Sequence, residues 1–253
     1  TVIIGMFLGL ERERLFHHRQ LPGAILMHRL PATVFGLSFV PLDERSLVVS
    51  SNSDHRPPAI TMSLSETESI IIAKTRRWLE RAVIGLNLCP FAKAVHVKHQ
   101  IRYVVSVATT TEALLDDLER ELEFLRHADA TETDTTLLIA PGMFGEFSAF
   151  VDFLDLAEVV LRTHQLSGVI QIASFHPDYV FADAATEDIT NYTNRSPYPT
   201  LHLLREISLS RATQAYPDAA VIVERNIETL KSLGSTGWQS LNVAADHPLE
   251  DEK

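Results

Sequence analysis

Side chains capable of chemistry are concentrated in one stretch of the chain, Ser174–Glu206. The candidates are two histidines, an aspartate, two arginines and several amide and hydroxyl groups: His176, Asp178, Asn191, Asn194, Arg195, Ser196, Tyr198, His202 and Arg205. Much of the stretch has no helical or strand period, and so long a connection is usually functional or disordered. Disordered segments are poor in aromatic residues, whereas this one is rich in them. The sequence therefore predicts an ordered loop that builds a site.

His176 and Asp178 are the predicted acid/base pair of this site. His176 follows a predicted strand, and ligands of open parallel sheets bind beyond the carboxyl ends of the strands. Asp178 is close enough in sequence to orient the imidazole or to share a proton with it. The alternative is a structural histidine that bonds to a loop carbonyl.

A helix is predicted to begin near Leu201, and it would place His202 and Arg205 on one face. His202 would lie in the first turn, where the helix dipole disfavours a positive charge. A neutral imidazole could act there as an acceptor, a base or a metal ligand. The alternative for both residues is a solvated helix face.

The segment before this predicted helix is suited to an anion. Arg195 and free amides at a helix N-terminus would bind a carboxylate or phosphate. Arg205 would supply a second cation, and the polar groups of Asn191, Asn194, Ser196 and Tyr198 would complete the site. The alternative is an arginine that only holds the loop by bonding its carbonyls.

Cys89 is the single thiol, and its apolar neighbours favour a buried, inert side chain. A three-ligand metal or haem site of Cys89, His176 and His202 is a weaker alternative, because no ligand spacing supports it. The chain lacks a Gly-rich phosphate loop, a G-x-S-x-G elbow and an H-E-x-x-H pair. The cofactor is left open.

Predicted helices and strands alternate along the chain before the loop of Ser174–Glu206. Predicted strands at 101–107, 135–140 and 169–175 follow predicted helices at 65–86, 112–126 and 147–161. This order is typical of an α/β fold with a small, mainly parallel sheet of three or more strands, flanked by helices. A last helix is predicted from Val221 to Leu233, ended by Gly234.

The composition limits the partners. A net charge of -11 and a pI near 5.4 disfavour nucleic acid and anionic membranes as partners. A small anionic molecule in a local basic pocket is still allowed. One cysteine excludes an internal disulfide and favours a reducing, cytoplasmic compartment. The oligomeric state is left open.

The chain changes character at Met62. Residues 1–61 have six Lys and Arg against five Asp and Glu, a charge of +1, whereas the remainder has 16 against 28, a charge of -12. We expect residues 1–61 to be a poorly ordered extension or a mis-set start, with a targeting or accessory segment as the alternative. Residues 62–240 are then a single α/β domain, and 241–253 a flexible acidic tail.

Several long motifs resemble one bacterial family. They are IGLNLCPFA at 84–92, SFHPDY at 174–179 and NYTNRSPYP at 191–199, followed by HLLRE at 202–206. In this order they resemble the family catalogued as domain of unknown function family 1415, over about residues 66–234. The resemblance implies a compact domain that starts near Met62, and it implies no reaction.

Three functions are consistent with these observations. The first is an enzyme acting on a small anionic metabolite at the 174–206 loop and the following helix. The second is a non-catalytic module that binds a small ligand or a protein with the same loop. The third, with the least support, is a Cys/His metal or haem protein.

Overall fold

The computed structural model describes residues 64–214 and 219–243, and a four-stranded β-sheet lies at its centre. The strands lie in the order β1-β2-β4-β3, with the bounds β1 Ile101–Val105, β2 Thr135–Ile139, β3 Ile170–Phe175 and β4 Thr200–Arg205. β1 and β2 are parallel, whereas β4 is antiparallel to both β2 and β3. The sheet is therefore mixed, and the prediction of a mainly parallel sheet is wrong.

Strand β4 occupies the position of the helix predicted to begin near Leu201. The spacing of Leu201, Leu204 and Ser208 fits a helical period, which is why the sequence indicates a helix there. In the structure, Leu201 and Leu203 are buried on one face of the sheet, and His202 points to the other because strand side chains alternate. Backbone partners on both edges of this central strand outweigh the local helical pattern.

Six α-helices surround the sheet in the described part of the chain. Their bounds are α1 Leu64–Trp78, α2 Ala92–Val97, α3 Thr111–His127, α4 Phe147–Thr163, α5 Glu206–Gln214 and α6 Ala219–Ser240. The last is interrupted at Gly234 (φ 64°), where the sequence predicts the end of a helix. Helices α3 and α4 cover one face, where Leu118 and Phe150 pack with Leu138. Helices α1 and α6 cover the other, where Trp78 and Leu230 are buried. Each fully buried side chain of this size contributes roughly 1.5–3 kcal/mol.

Most of the predicted elements are confirmed. The helices and strands predicted between Ser65 and Phe175 are present with ends shifted by a few residues. The described residues belong to one compact unit. The predicted extension at 1–61 and the part of the predicted tail beyond Val243 lie outside the described residues. In residues 64–214 and 219–243, no helix is both long enough and apolar enough to cross a membrane.

A π-helical segment, Leu79–Ile84, continues directly from α1. Its wide turn is seen in the 2.9 Å hydrogen bond from the Gly85 N–H to the Glu80 carbonyl, five residues back. Such turns are rare and often lie at functional sites. Here Leu79 and Val83 line the cavity described below, so the segment positions part of the candidate site.

Gly85 is required by this wide turn, and we expect Gly85→Ala to destabilise the protein. A Cβ atom at Gly85 would lie 2.3 Å from the Arg81 carbonyl oxygen, so the backbone must shift. The expected loss is roughly 1–3 kcal/mol of unfolding free energy, measured by urea denaturation. Gly145→Ala is the matched control, because a Cβ there meets nothing within 4 Å. Equal stability of the two variants would contradict this role of the turn.

Candidate ligand-binding site

Asn191 and Arg195 hold the loop that follows β3 in its conformation. The Asn191 Oδ1 accepts a hydrogen bond from the Phe181 N–H (3.0 Å), and its Nδ2 donates to the Ala185 carbonyl (2.8 Å). The Arg195 guanidinium donates to the carbonyls of Tyr179 (3.2 Å) and Thr186 (2.8 Å). These bonds are internal to the loop. They match the alternative in which the arginine holds the loop together.

Asn194 and Ser196 hold the same loop against the edge of the sheet. The Asn194 side-chain Nδ2 donates to the Ser174 backbone carbonyl (3.0 Å). The backbone carbonyl of Asn194 accepts a hydrogen bond from the His176 N–H (3.2 Å). The Ser196 hydroxyl donates to the Tyr198 carbonyl at 2.6 Å. Asn194 and Ser196 are both buried. Their predicted role in binding an anion stays a prediction.

His176 is buried, and backbone groups engage both of its ring nitrogens. Nδ1 accepts a hydrogen bond from the Asp178 N–H (3.0 Å), and Nε2 lies 2.8 Å from the Phe144 carbonyl oxygen. Because a carbonyl can only accept, Nε2 carries the proton and the ring is neutral. The ring packs 5.3 Å from both Phe147 and Phe150. This bonding leaves neither nitrogen free for a substrate proton.

The backbone of Asp178 orients the His176 ring, and its carboxylate is exposed. The predicted acid/base pair of His176 and Asp178 stays a prediction. The two histidines of the predicted catalytic set also lie on opposite faces of the sheet. His176 packs on α4 through Phe150, whereas His202 approaches Phe175 on the face covered by α1.

His202 lies in the middle of β4, paired with Leu137 of β2 and Ala173 of β3. Its Nε2 is 2.6 Å from the Thr135 Oγ1, and that hydroxyl donates its proton to the Leu203 carbonyl at 2.6 Å. With its single proton assigned to this carbonyl, Thr135 accepts from an Nε2–H group. The ring therefore has its proton on Nε2 and a lone pair on Nδ1.

A cavity of about 540 Å³ opens on this face of the sheet. Its walls come from α1 with the π-helical segment, from α2, from α5 and from the sheet. Most of the lining is apolar, as in Trp78, Leu79, Val83, Pro90, Phe91, Ala92, Val95, Ile101, Leu137, Phe175, Leu204 and Leu209. Small-molecule sites usually have volumes of about 300–1,000 Å³ and a mainly apolar lining. This is the candidate ligand-binding site.

His202 and Cys89 both line the cavity, and burial favours the uncharged form of each. Burial lowers the pKa of His202 from its ordinary value of 6.5 to about 4. Burial raises the pKa of the Cys89 thiol, an effect partly offset by hydrogen bonds from the backbone of Phe91 and Ala92. At neutral pH the cavity therefore contains an imidazole and a thiol, and not an ion pair between them.

The charged groups of the cavity lie near the end of β4. Lys98, Arg205 and Arg211 line it, with Asp134 as the one carboxylate among the described lining residues. The Arg205 guanidinium donates from Nη2 to the carbonyls of Ala128 (2.6 Å) and Thr133 (3.2 Å). Its Nε is buried, has no hydrogen-bond partner in the described part of the chain, and lies 3.9 Å from an Asp134 oxygen. Backbone carbonyls thus hold the guanidinium, and only its buried Nε is left without a hydrogen bond.

The structure brings together only part of the predicted site. His202, Arg205 and the alternative ligand Cys89 share the cavity, whereas His176, Asp178, Asn191, Asn194, Arg195, Ser196 and Tyr198 are not among its lining residues. His202 and Arg205 meet there without sharing the helix face predicted for them. Among residues 64–214 and 219–243, no group of three His, Cys, Asp or Glu side chains is arranged to hold a metal ion.

Sequence reasoning missed the lining from α2, α5 and β2. Thr135 and Asp134 lie at the start of a predicted strand, and nothing in their spacing links them to His202. The one available signal was the alternation of Leu201, His202 and Leu203. As a strand, that pattern places a polar ring on the face opposite two leucines.

A family model described as "Protein of unknown function (DUF1415)" matches residues 70–240. The chain belongs to this family. The match confirms the resemblance carried by the motifs at 84–92, 174–179 and 191–199. The cavity and the polar loop both lie inside the matched span. No curated protein and no solved structure matches the chain.

The lowered pKa of His202 predicts a pH-dependent loss of stability. Between pH 6.5 and about 4 the unfolded chain binds a proton at His202 that the folded protein does not. Stability should therefore fall as the pH falls through this window. We expect His202→Gln to lose less unfolding free energy than the wild type between pH 7 and pH 4.5, by up to about 2 kcal/mol.

Urea denaturation at the two pH values measures this difference, and His164→Gln is the control. His164 lies at the end of α4, and it does not line the cavity. Parallel loss of stability in the wild type and His202→Gln would contradict the lowered pKa of the partly buried His202.

Proposed function

We propose that this protein binds a small molecule with an apolar body and one anionic group in the cavity beside β4. The observation that carries the proposal is the combination of a largely apolar lining with three cationic side chains, Lys98, Arg205 and Arg211, at one cavity. Apolar walls supply affinity through burial, and a few charged groups fix the orientation of the ligand. The same chain has a net charge of -11, so this local excess of cations is a departure from its overall balance.

Arg205 supports the anionic part of the proposal. Its buried Nε has no hydrogen-bond partner among the described residues, and the Asp134 oxygen at 3.9 Å is too distant to provide one. Arg205 therefore contributes its positive charge from within the wall and not a direct hydrogen bond, because its Nε is inaccessible and its Nη2 is bonded to the Ala128 and Thr133 carbonyls. The exposed cations Lys98 and Arg211 would attract a ligand carboxylate at the cavity.

Binding without catalysis is the better supported form of this proposal. Thiolate chemistry at Cys89 needs a lowered pKa, and burial raises it. A general base works best with a pKa near the working pH, whereas that of His202 is about 4. An enzyme using His176 and Asp178 is the alternative. It predicts that His176→Asn abolishes turnover of a bound ligand, a result that would replace the present proposal.

The test uses naphthoate as an anionic apolar probe and naphthamide as its neutral analogue, with isothermal titration calorimetry. We expect the wild type to bind naphthoate more tightly than naphthamide. Reversing the two exposed cations, in Lys98→Glu with Arg211→Glu, should weaken naphthoate binding by about tenfold and leave naphthamide binding much less affected. Failure of both probes to bind would refute the proposal.

Lys93→Glu is the matched control for charge. Lys93 is exposed on α2, close in sequence to Lys98, but it does not line the cavity. Its reversal should leave the preference for naphthoate intact. An equal loss in Lys93→Glu would mean that general surface charge, and not the cavity, attracts the anion.

The position of the probe can be measured with Trp78. The chain has two tryptophans, and Trp78 lines the cavity whereas Trp238 packs on Tyr192 with ring centroids 5.0 Å apart. In Trp238→Phe the remaining indole should change its emission when naphthoate binds. Binding detected by calorimetry without a change in Trp78 emission would place the probe elsewhere.

A further inference from the structure

The wall of the cavity formed by β4 includes the ring of His202. His202 donates through Nε2 to Thr135, which in turn donates to the Leu203 carbonyl. Nδ1 of the same ring has no hydrogen-bond partner among the residues that the structure describes. With the Thr135 proton assigned to the Leu203 carbonyl, Nε2 carries the ring proton and Nδ1 is a lone-pair acceptor.

The surroundings of this acceptor are apolar and partly aromatic. Trp78, Phe91 and Phe175 line the cavity, and the Phe175 ring lies 6.3 Å from the His202 ring. Apolar neighbours cannot satisfy Nδ1, so a ligand group that donates a hydrogen bond there gains more than an apolar one. Flat aromatic walls favour a flat ring as the body of the ligand.

We propose that His202 is a specificity residue that selects ligands with a hydroxyl group on an aromatic body, at the end remote from the anionic group. The ligand class is then a hydroxylated aromatic carboxylate. This inference rests on the proposed function, because it assigns the inner contact of the same ligand. Lys98 and Arg211 attract the carboxylate, and the hydroxyl donates to Nδ1 of His202.

The geometry also indicates which ligand groups bind poorly beside His202. A second acceptor, such as a methoxy or carbonyl oxygen, would face the lone pair of Nδ1 and remain unsatisfied. Discrimination of this kind comes from a polar group in the site that only the correct ligand pairs. The site should therefore prefer a hydroxyl group to the same ring carrying hydrogen or a methoxy group.

The experiment compares matched ligand pairs by calorimetry: naphthoate with hydroxynaphthoate, and biphenylcarboxylate with hydroxybiphenylcarboxylate. In the wild type we expect at least one hydroxylated member to bind roughly 3- to 10-fold more tightly than its partner, the range expected of one neutral hydrogen bond. In His202→Phe the ratio of the two Kd values should fall to about one. The methoxy analogue of the preferred ligand should lose the advantage in the wild type.

His202→Gln is the second variant, because its side chain keeps an acceptor and should retain part of the hydroxyl preference. It also guards against a His202→Phe protein that does not fold. His164→Phe is the matched control, since His164 does not line the cavity and the ratio should stay at its wild-type value.

The outcomes separate the two proposals. Equal affinity of the wild type for the two members of each ligand pair would overturn the role of His202. It would leave the proposed function standing. A hydroxyl preference that survives in His202→Phe would overturn it as well. Failure of every carboxylate to bind would refute the proposed function, and this inference with it.

Discussion

The insertion of β4 between β2 and β3 is the constraint on which the rest of the structure depends. Backbone pairing on both edges fixes the register of His202 opposite Leu137 and Ala173. That register brings the His202 ring within 2.6 Å of the Thr135 hydroxyl and places Leu201 and Leu203 in the core behind it. A slip of one residue would reverse the two faces and bury the imidazole among leucines.

The cavity follows from this register and from the elements around it. Helix α5 begins directly after β4, and α2 follows the turn that ends the π-helical segment, so both lie over the face that carries His202. Low polarity keeps His202 and Cys89 uncharged, and the cations lie near the strand end, where Arg205 is half-buried. An apolar interior with charge at one end is the arrangement expected of a site for an amphipathic molecule.

The sequence predicted the local elements better than their assembly. Amphipathic periods located α3 and α4, because each of these helices has one buried face, and runs of β-branched and apolar residues located β1 to β3. The strand nature of β4 depends on partners distant in sequence, and Leu201, Leu204 and Ser208 mimic a helix. For the site, residue type drew attention to His202, Arg205 and the loop of 174–206. The face of the sheet on which each residue lies decides which of them are close in space. The sequence does not give that face, so it could not link Thr135 and Asp134 to His202 and Arg205.

The most direct test of the account is to map the binding of naphthoate by backbone amide chemical shifts on isotopically labelled protein. The account predicts that the largest changes occur at Thr135, Leu137, His202 and Leu204, the sheet residues that line the cavity. Changes concentrated in the loop of 176–198, with none on β4, would contradict it. The site would then lie at the loop that His176, Asn191 and Arg195 hold together.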